Sequence, residues 1–238
     1  MRCGISGAKG ILLYDTSIFG HNGVYGYYEG DKMIIEEGNH EDLRALQKKH
    51  NDSCEGAEDS HYKLVFGWMG ILLLFVVAVF FTQPLPLCIG AVVFAIGIYF
   101  PVIVLCLANE NPYADEETHQ QFRRLHGCEH AMMQVLSKEE EATLENLKRK
   151  SILNAECGTV YCGYAIMLVT ILALVIANIT VLGILKSLCI VGATIVLIVI
   201  GIFLPYNPFM VLQKPAVANP TEREYILGVA ILNKFNEL

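Results

Sequence analysis

The sequence predicts a mainly α, polytopic helical membrane protein, with four spans in two hairpins and a small N-terminal cytoplasmic segment of mixed α and β character. Three observations lead there. Hydrophobic residues fill 54% of the 238 positions, more than an ordinary soluble chain carries. They concentrate in two regions, Leu64 to Ala108 and Val160 to Leu204, each long enough for two crossings of about 20 residues. The basic residues avoid both regions: of 17 Lys and Arg, seven precede the first span, six lie in the central loop and three follow the last span, leaving only Lys186 inside. The positive-inside rule then places both termini and the central loop in the cytoplasm of a multi-pass cell-membrane protein.

The first segment, residues 1–63, opens with β-like runs, Gly10 to Tyr14, Gly23 to Gly30 and Lys32 to Glu36, punctuated by glycine. Their aromatics suit a small packed sheet. Asn39 is placed to cap a helix with Glu41 and Asp42 in its first turn and Lys48, Lys49 and His50 at its end, signs that match the helix dipole. The first hairpin, 64–108, turns at Gln83-Pro84-Leu85-Pro86 and carries Pro101, a kink position, in its second span.

Residues 109–159 form the central polar loop. Asp115-Glu116-Glu117 starts a helix predicted to run to about Val135, and Ser137 offers a fresh N-cap for a second helix reaching about Lys150. The second hairpin, 160–204, turns at Asn178-Ile179-Thr180. The tail, 205–238, ends in an amphipathic helix whose apolar side is read as Ile226, Val229, Ala230 and Leu232.

The chemistry sits in the central loop, where His126-Gly127-Cys128-Glu129-His130 contains H-x-x-E-H. On a helix the two histidines are one turn apart, so both imidazoles can address one ion. Glu129 is beside them as a candidate catalytic base, able to take a proton from metal-bound water. The order is that of the inverted zinc peptidases, the inverzincins. Zn2+ is the expected metal. A third ligand is sought in Glu145, brought close by a folded helix pair, or in a thiol, Cys157 or Cys128. Of the eight cysteines, those on the cytoplasmic side are expected to stay reduced.

Three blocks in order, His126-Gly127-Cys128-Glu129-His130, Thr143-Leu144-Glu145-Asn146 and Cys157-Gly158-Thr159, resemble the H-G-x-E-H, T-x-E-N and C-G-T blocks of the YqhQ-like family of bacterial membrane proteins. That resemblance covers roughly residues 64–238 and implies a metal-dependent enzyme of the bacterial inner membrane, with no substrate assigned. The chain departs from the family pattern at Asn154-Ala155-Glu156, where the family has His-Pro, and at Gly228, where it has an acidic residue.

Two functions follow as expectations. One is an integral-membrane metal-dependent hydrolase, a peptidase acting on a peptide or membrane-protein substrate at the cytoplasmic surface. The other is a non-catalytic, metal-stabilised scaffold or assembly factor. The lipid bilayer is the expected partner in both. A net charge of -7 argues against nucleic acid, and spans free of Asp, Glu, Arg and His argue against an ion path.

Overall fold

The computed structural model describes residues 2–15, 22–54, 85–86, 89, 93, 97, 115–203 and 207–238. In chain order these form strands β1 (Arg2–Ser6), β2 (Gly10–Asp15), β3 (Asn22–Glu29) and β4 (Lys32–Asn39), and helices α1 (His40–Asp52), α2 (Glu116–Ser137) and α3 (Leu144–Lys148). Helices α4 (Gly158–Ala177) and α5 (Ile179–Phe203), a 3-10 turn (Pro208–Gln213) and α6 (Glu222–Asn236) follow. The chain divides into two units: Met1–Ala57 with Asn111–Asn154 and Lys214–Leu238, and Glu58–Glu110 with Ala155–Gln213.

In the first unit the predicted β-like runs pair into an antiparallel sheet of order β1-β2-β3-β4. The strand period of two sends Leu12 to one face and Ile11 and Leu13 to the other, and all three are buried. Leu12 and Tyr25 pack with Leu43 of α1, whose N-cap is Asn39 as the sequence indicated. Ile11, Leu13 and Val24 pack with Leu125, Cys128, Met132 and Val135 of α2, Leu147 of α3, and Leu227, Ile231 and Leu232 of α6. The sheet is therefore covered on both faces, and α2 lies on the inner side of the larger core.

Two readings of the sequence are corrected here. Ser137 does not cap a second helix but is the last residue of α2. Glu139 adopts φ 53°, and the bonds from Glu140 N–H to the Val135 carbonyl and from Glu139 N–H to the Leu136 carbonyl close α2 with a Schellman-type turn. The following helix starts only at Leu144, capped by Thr143. A non-glycine residue in the left-handed region costs about 1 kcal/mol, so Glu139→Gly is expected to raise thermal stability by that amount; a fall in the unfolding midpoint would contradict the assignment. On α6 the predicted Leu232 is buried and Val229 packs against the same core, with Leu227, Ile231 and Phe235 completing the buried side, but Ile226 is exposed. The helix is turned by Glu224, which is buried, accepts from the Thr221 N–H at 2.6 Å in a capping box and pairs with Arg124 Nε at 3.1 Å.

In the second unit α4 and α5 form a hairpin through Asn178, the C-cap of α4. Helices Gly158–Ala177 and Leu182–Gly201 are each long and apolar enough to cross a membrane. Gly183, at φ 73°, breaks the first turn of α5. Leu185, Leu188 and Leu197 stand exposed along α5. Of the four predicted spans, these two meet that length and apolarity among the described residues. The first hairpin, with Pro101, lies outside the described residues apart from 85–86, 89, 93 and 97.

Candidate metal centre

Helix α2 begins at Asp115, whose carboxylate caps Thr118 N–H at 2.7 Å. Its buried face runs Leu125, Cys128, Glu129, Met132 and Val135, so the helical spacing carries the motif under cover. His130 is 1% exposed and Glu129 8%. His126 lies one turn before His130, with the ring centroids 4.5 Å apart at 63°.

Each imidazole is held by a different stretch of backbone within the first unit. His126 Nδ1 lies 3.1 Å from the Ala216 carbonyl, and His130 Nδ1 lies 2.6 Å from the Ile152 carbonyl. A carbonyl can only accept, so both Nδ1 atoms carry the proton and both Nε2 atoms keep a free lone pair. The Glu129 carboxylate faces those atoms: Oε2 is 3.9 Å from each Nε2. Fixing a histidine tautomer through its far nitrogen is how outer groups orient metal ligands.

The two holding segments are themselves pinned to α2. Ala218 N–H donates to the Arg123 carbonyl at 2.9 Å, and the Arg123 guanidinium donates to the Val217 carbonyl at 3.2 Å. Gln134 Nε2 donates to the Ser151 carbonyl at 2.7 Å. Between them sits Gly127, where a Cβ would fall onto the Ala218 carbonyl oxygen and come within 3.5 Å of Ile152 Cβ. The glycine of H-G-x-E-H is thus required by the close approach of backbone to helix.

Burial sets the charge states. It pushes the Glu129 carboxyl up to about 8 and the His130 imidazole down to about 4, with His126 beside it adding to the effect. His126 is likewise lowered by burial, partly offset by its bond to Ala216. Neutral imidazoles are the ligand form.

The other candidates separate cleanly. Cys128, one residue from Glu129, points away into the core, donates its thiol to the Glu224 carbonyl at 3.1 Å and is pushed well up by burial. Gly228 underlies it: a Cβ there would meet Cys128 Sγ at 2.8 Å and Leu147 Cδ2 at 2.9 Å. A larger side chain there would have to displace these side-chain ends. Glu145 stands exposed in the first turn of α3. Cys157 is the N-cap of α4, in the second unit, with Sγ 3.4 Å from Thr159 Oγ1. Within the first unit, the side chains that could address a metal ion are therefore His126 and His130. The sequence reading did not find the carbonyls of Ala216 and Ile152, because a carbonyl ligand-holder carries no residue-type signal; Gly127 was the one trace of them.

A mainly helical chain with an N-terminal antiparallel sheet, two helices long and apolar enough to span a membrane and a pair of histidines one helical turn apart defines the class of this protein. It belongs to the family described as protein of unknown function (DUF1385), whose family model matches residues 40–219, in agreement with the YqhQ-like resemblance of its sequence blocks. No curated protein and no solved structure matches the chain.

Proposed function

We propose that this protein is an integral-membrane, metal-dependent hydrolase, with zinc as its metal and a peptide bond of a peptide or membrane protein as its target at the cytoplasmic surface. The observation that carries this reading is the pair of Nδ1–H bonds to backbone carbonyls, which leaves two Nε2 lone pairs directed to one side with a carboxylate 3.9 Å from both. Two neutral imidazoles are donors that suit zinc. His126 and His130 would hold the ion, and with one further protein ligand a fourth position stays open for water, the mark of a catalytic rather than a closed site. Bound there, zinc would supply an acidified water and a Lewis acid for the scissile carbonyl. Glu129 would accept the proton of that water and deliver it to the leaving amine. The multi-pass arrangement, with both termini and the metal loop cytoplasmic, belongs to the same proposal and rests on the distribution of Lys and Arg.

The scaffold reading has one observation of its own, the burial of Glu129 beneath β1. A buried carboxylate can serve simply to orient a histidine.

Detergent-purified protein is expected to contain about one zinc per chain, and His126→Ala or His130→Ala to lose it. Near-zero zinc in the wild type and both variants would end both readings. Glu129→Gln is expected to keep the zinc and lose about 100-fold or more in hydrolysis of a peptide library by protein in liposomes. Zinc retained with hydrolysis equally low in wild type and variant would favour the scaffold.

A further inference from the structure

We infer that Gly4, in the edge strand β1, is a positioning residue of this metal centre that sets the Glu129 carboxylate against the two imidazoles. The inference rests on the proposal that Glu129 acts at a metal held by His126 and His130. The N-terminal sheet lies before the matched segment 40–219, so nothing in the family match brings it to the site.

Register fixes which way Gly4 faces. It lies opposite Leu13 in the antiparallel pair of β1 and β2, and Leu13 points into the core shared with α2. Residues directly opposite in a pair share a face, so Gly4 also faces α2. A Cβ on Gly4 would stand 2.7 Å from Glu129 Oε1, 2.9 Å from Cγ and 3.2 Å from Cδ. Those three atoms span the end of one side chain. The strand backbone therefore covers the Oε1 side of the carboxylate, while Oε2 looks toward the imidazoles.

The strand is also held from its other face, which decides what must yield to an added methyl. Gln47 of α1 donates to the Ile5 carbonyl at 2.9 Å, and Asn51 accepts from Ala8 N–H at 2.8 Å. With β1 fixed by α1 on one side and by β2 along its length, the carboxylate is the movable partner. A side chain at position 4 would turn it away from the nitrogens.

The test uses the full-length protein in detergent, with zinc as the probe and cobalt(II) as a spectroscopic substitute. Gly4→Ala is expected to keep its circular dichroism, to lose about 10-fold in zinc affinity by chelator competition and to shift the cobalt absorption bands. Glu129→Asp shortens the side chain and withdraws it from position 4, so the pair Gly4→Ala with Glu129→Asp is expected to bind zinc as Glu129→Asp does alone. A Gly4→Ala variant with wild-type affinity and cobalt spectrum would overturn the inference. So would an equal loss in both backgrounds, which would mean that position 4 acts on the fold. If Gly4→Ala alone cannot be purified, recovery of folded, zinc-binding protein in the pair supports the inference, and failure to recover overturns it. Absence of zinc from the wild type would remove the metal proposal itself; zinc in the wild type with no coupling removes only the role of Gly4.

Discussion

Replacing Gly127 with alanine is expected to destabilise the protein by about 2 kcal/mol and to weaken zinc binding by about 10-fold or more. Two effects of opposite sign meet at this position. Alanine favours a helix interior over glycine by roughly 1 kcal/mol, which alone would stabilise α2. Against this, the new Cβ would fall onto the Ala218 carbonyl oxygen, and forcing such an atom into a packed site costs about 1–3 kcal/mol, occasionally more. The obstacle is backbone, tied to α2 by the Ala218 bond to Arg123, so no rotamer change relieves it and the larger figure applies. Moving Ala218 also moves Ala216, two residues away, and with it the acceptor that holds His126 Nδ1. Loss of such an outer partner costs about 10–100-fold in metal affinity. Gly228→Ala is the comparison, because its obstacles are the ends of side chains, Cys128 Sγ, Leu147 Cδ2 and Met132 Sδ, which can shift. Thermal unfolding and zinc competition on both variants check the contrast. An alanine at 127 that raised the midpoint would show that helix propensity prevails and that segment 216–218 does not bear on the helix.

What the sequence revealed of this site divides along a physical line. Periodicity made α2 and its two histidines readable, since i and i+4 positions share a face whatever else the chain does. It also made the strands readable, through alternation and glycine punctuation. Tertiary partners that are backbone atoms had no such signature, so neither the Ala216 and Ile152 carbonyls nor the main chain of Gly4 could be named. The error at Ser137 has a related cause. Ser137-Lys138-Glu139-Glu140 carries a good capping pattern, but the preceding helix ends there by placing Glu139 in the left-handed region, a termination more often signalled by glycine. On α6, Ile226 and Leu227 are adjacent apolar residues, so two stripes were available. Glu224 with Arg124 and Arg223 over the Tyr28 ring at 4.1 Å select the one that turns Leu227 inward. Thiols, too, were undecided by spacing alone; burial of Cys128 against Glu224 removes it from the ligand set.

Without metal, the protein is expected to lose stability as pH rises from about 6.5 to 8, and with zinc bound this loss is expected to vanish or reverse. The sign follows from the Glu129 carboxyl, raised by burial from its ordinary 4.5 to about 8. Over that interval the unfolded chain has lost this proton while the folded chain keeps much of it, so stability falls by up to about 1.4 kcal/mol per pH unit, or about 1.6 kcal/mol between 6.5 and 8. Below 6.5 the histidines oppose the trend. His130, lowered to about 4, and His126, lowered by burial, stay neutral when the unfolded imidazoles take up protons, so acidification costs stability there. The metal-free protein should therefore be most stable near pH 6.5. A divalent ion on the two Nε2 atoms reverses the local logic, because the cation favours the ionised carboxylate beside it. Deprotonated ligands also bind metal more tightly as pH rises. Thermal unfolding of chelator-treated and zinc-loaded protein across this range reads both slopes, and Glu129→Gln identifies the group. In that variant the metal-free slope above 6.5 should disappear. If it persisted, or if the metal-free wild type grew more stable toward pH 8, the buried carboxylate would not be the group that couples this fold to a cation.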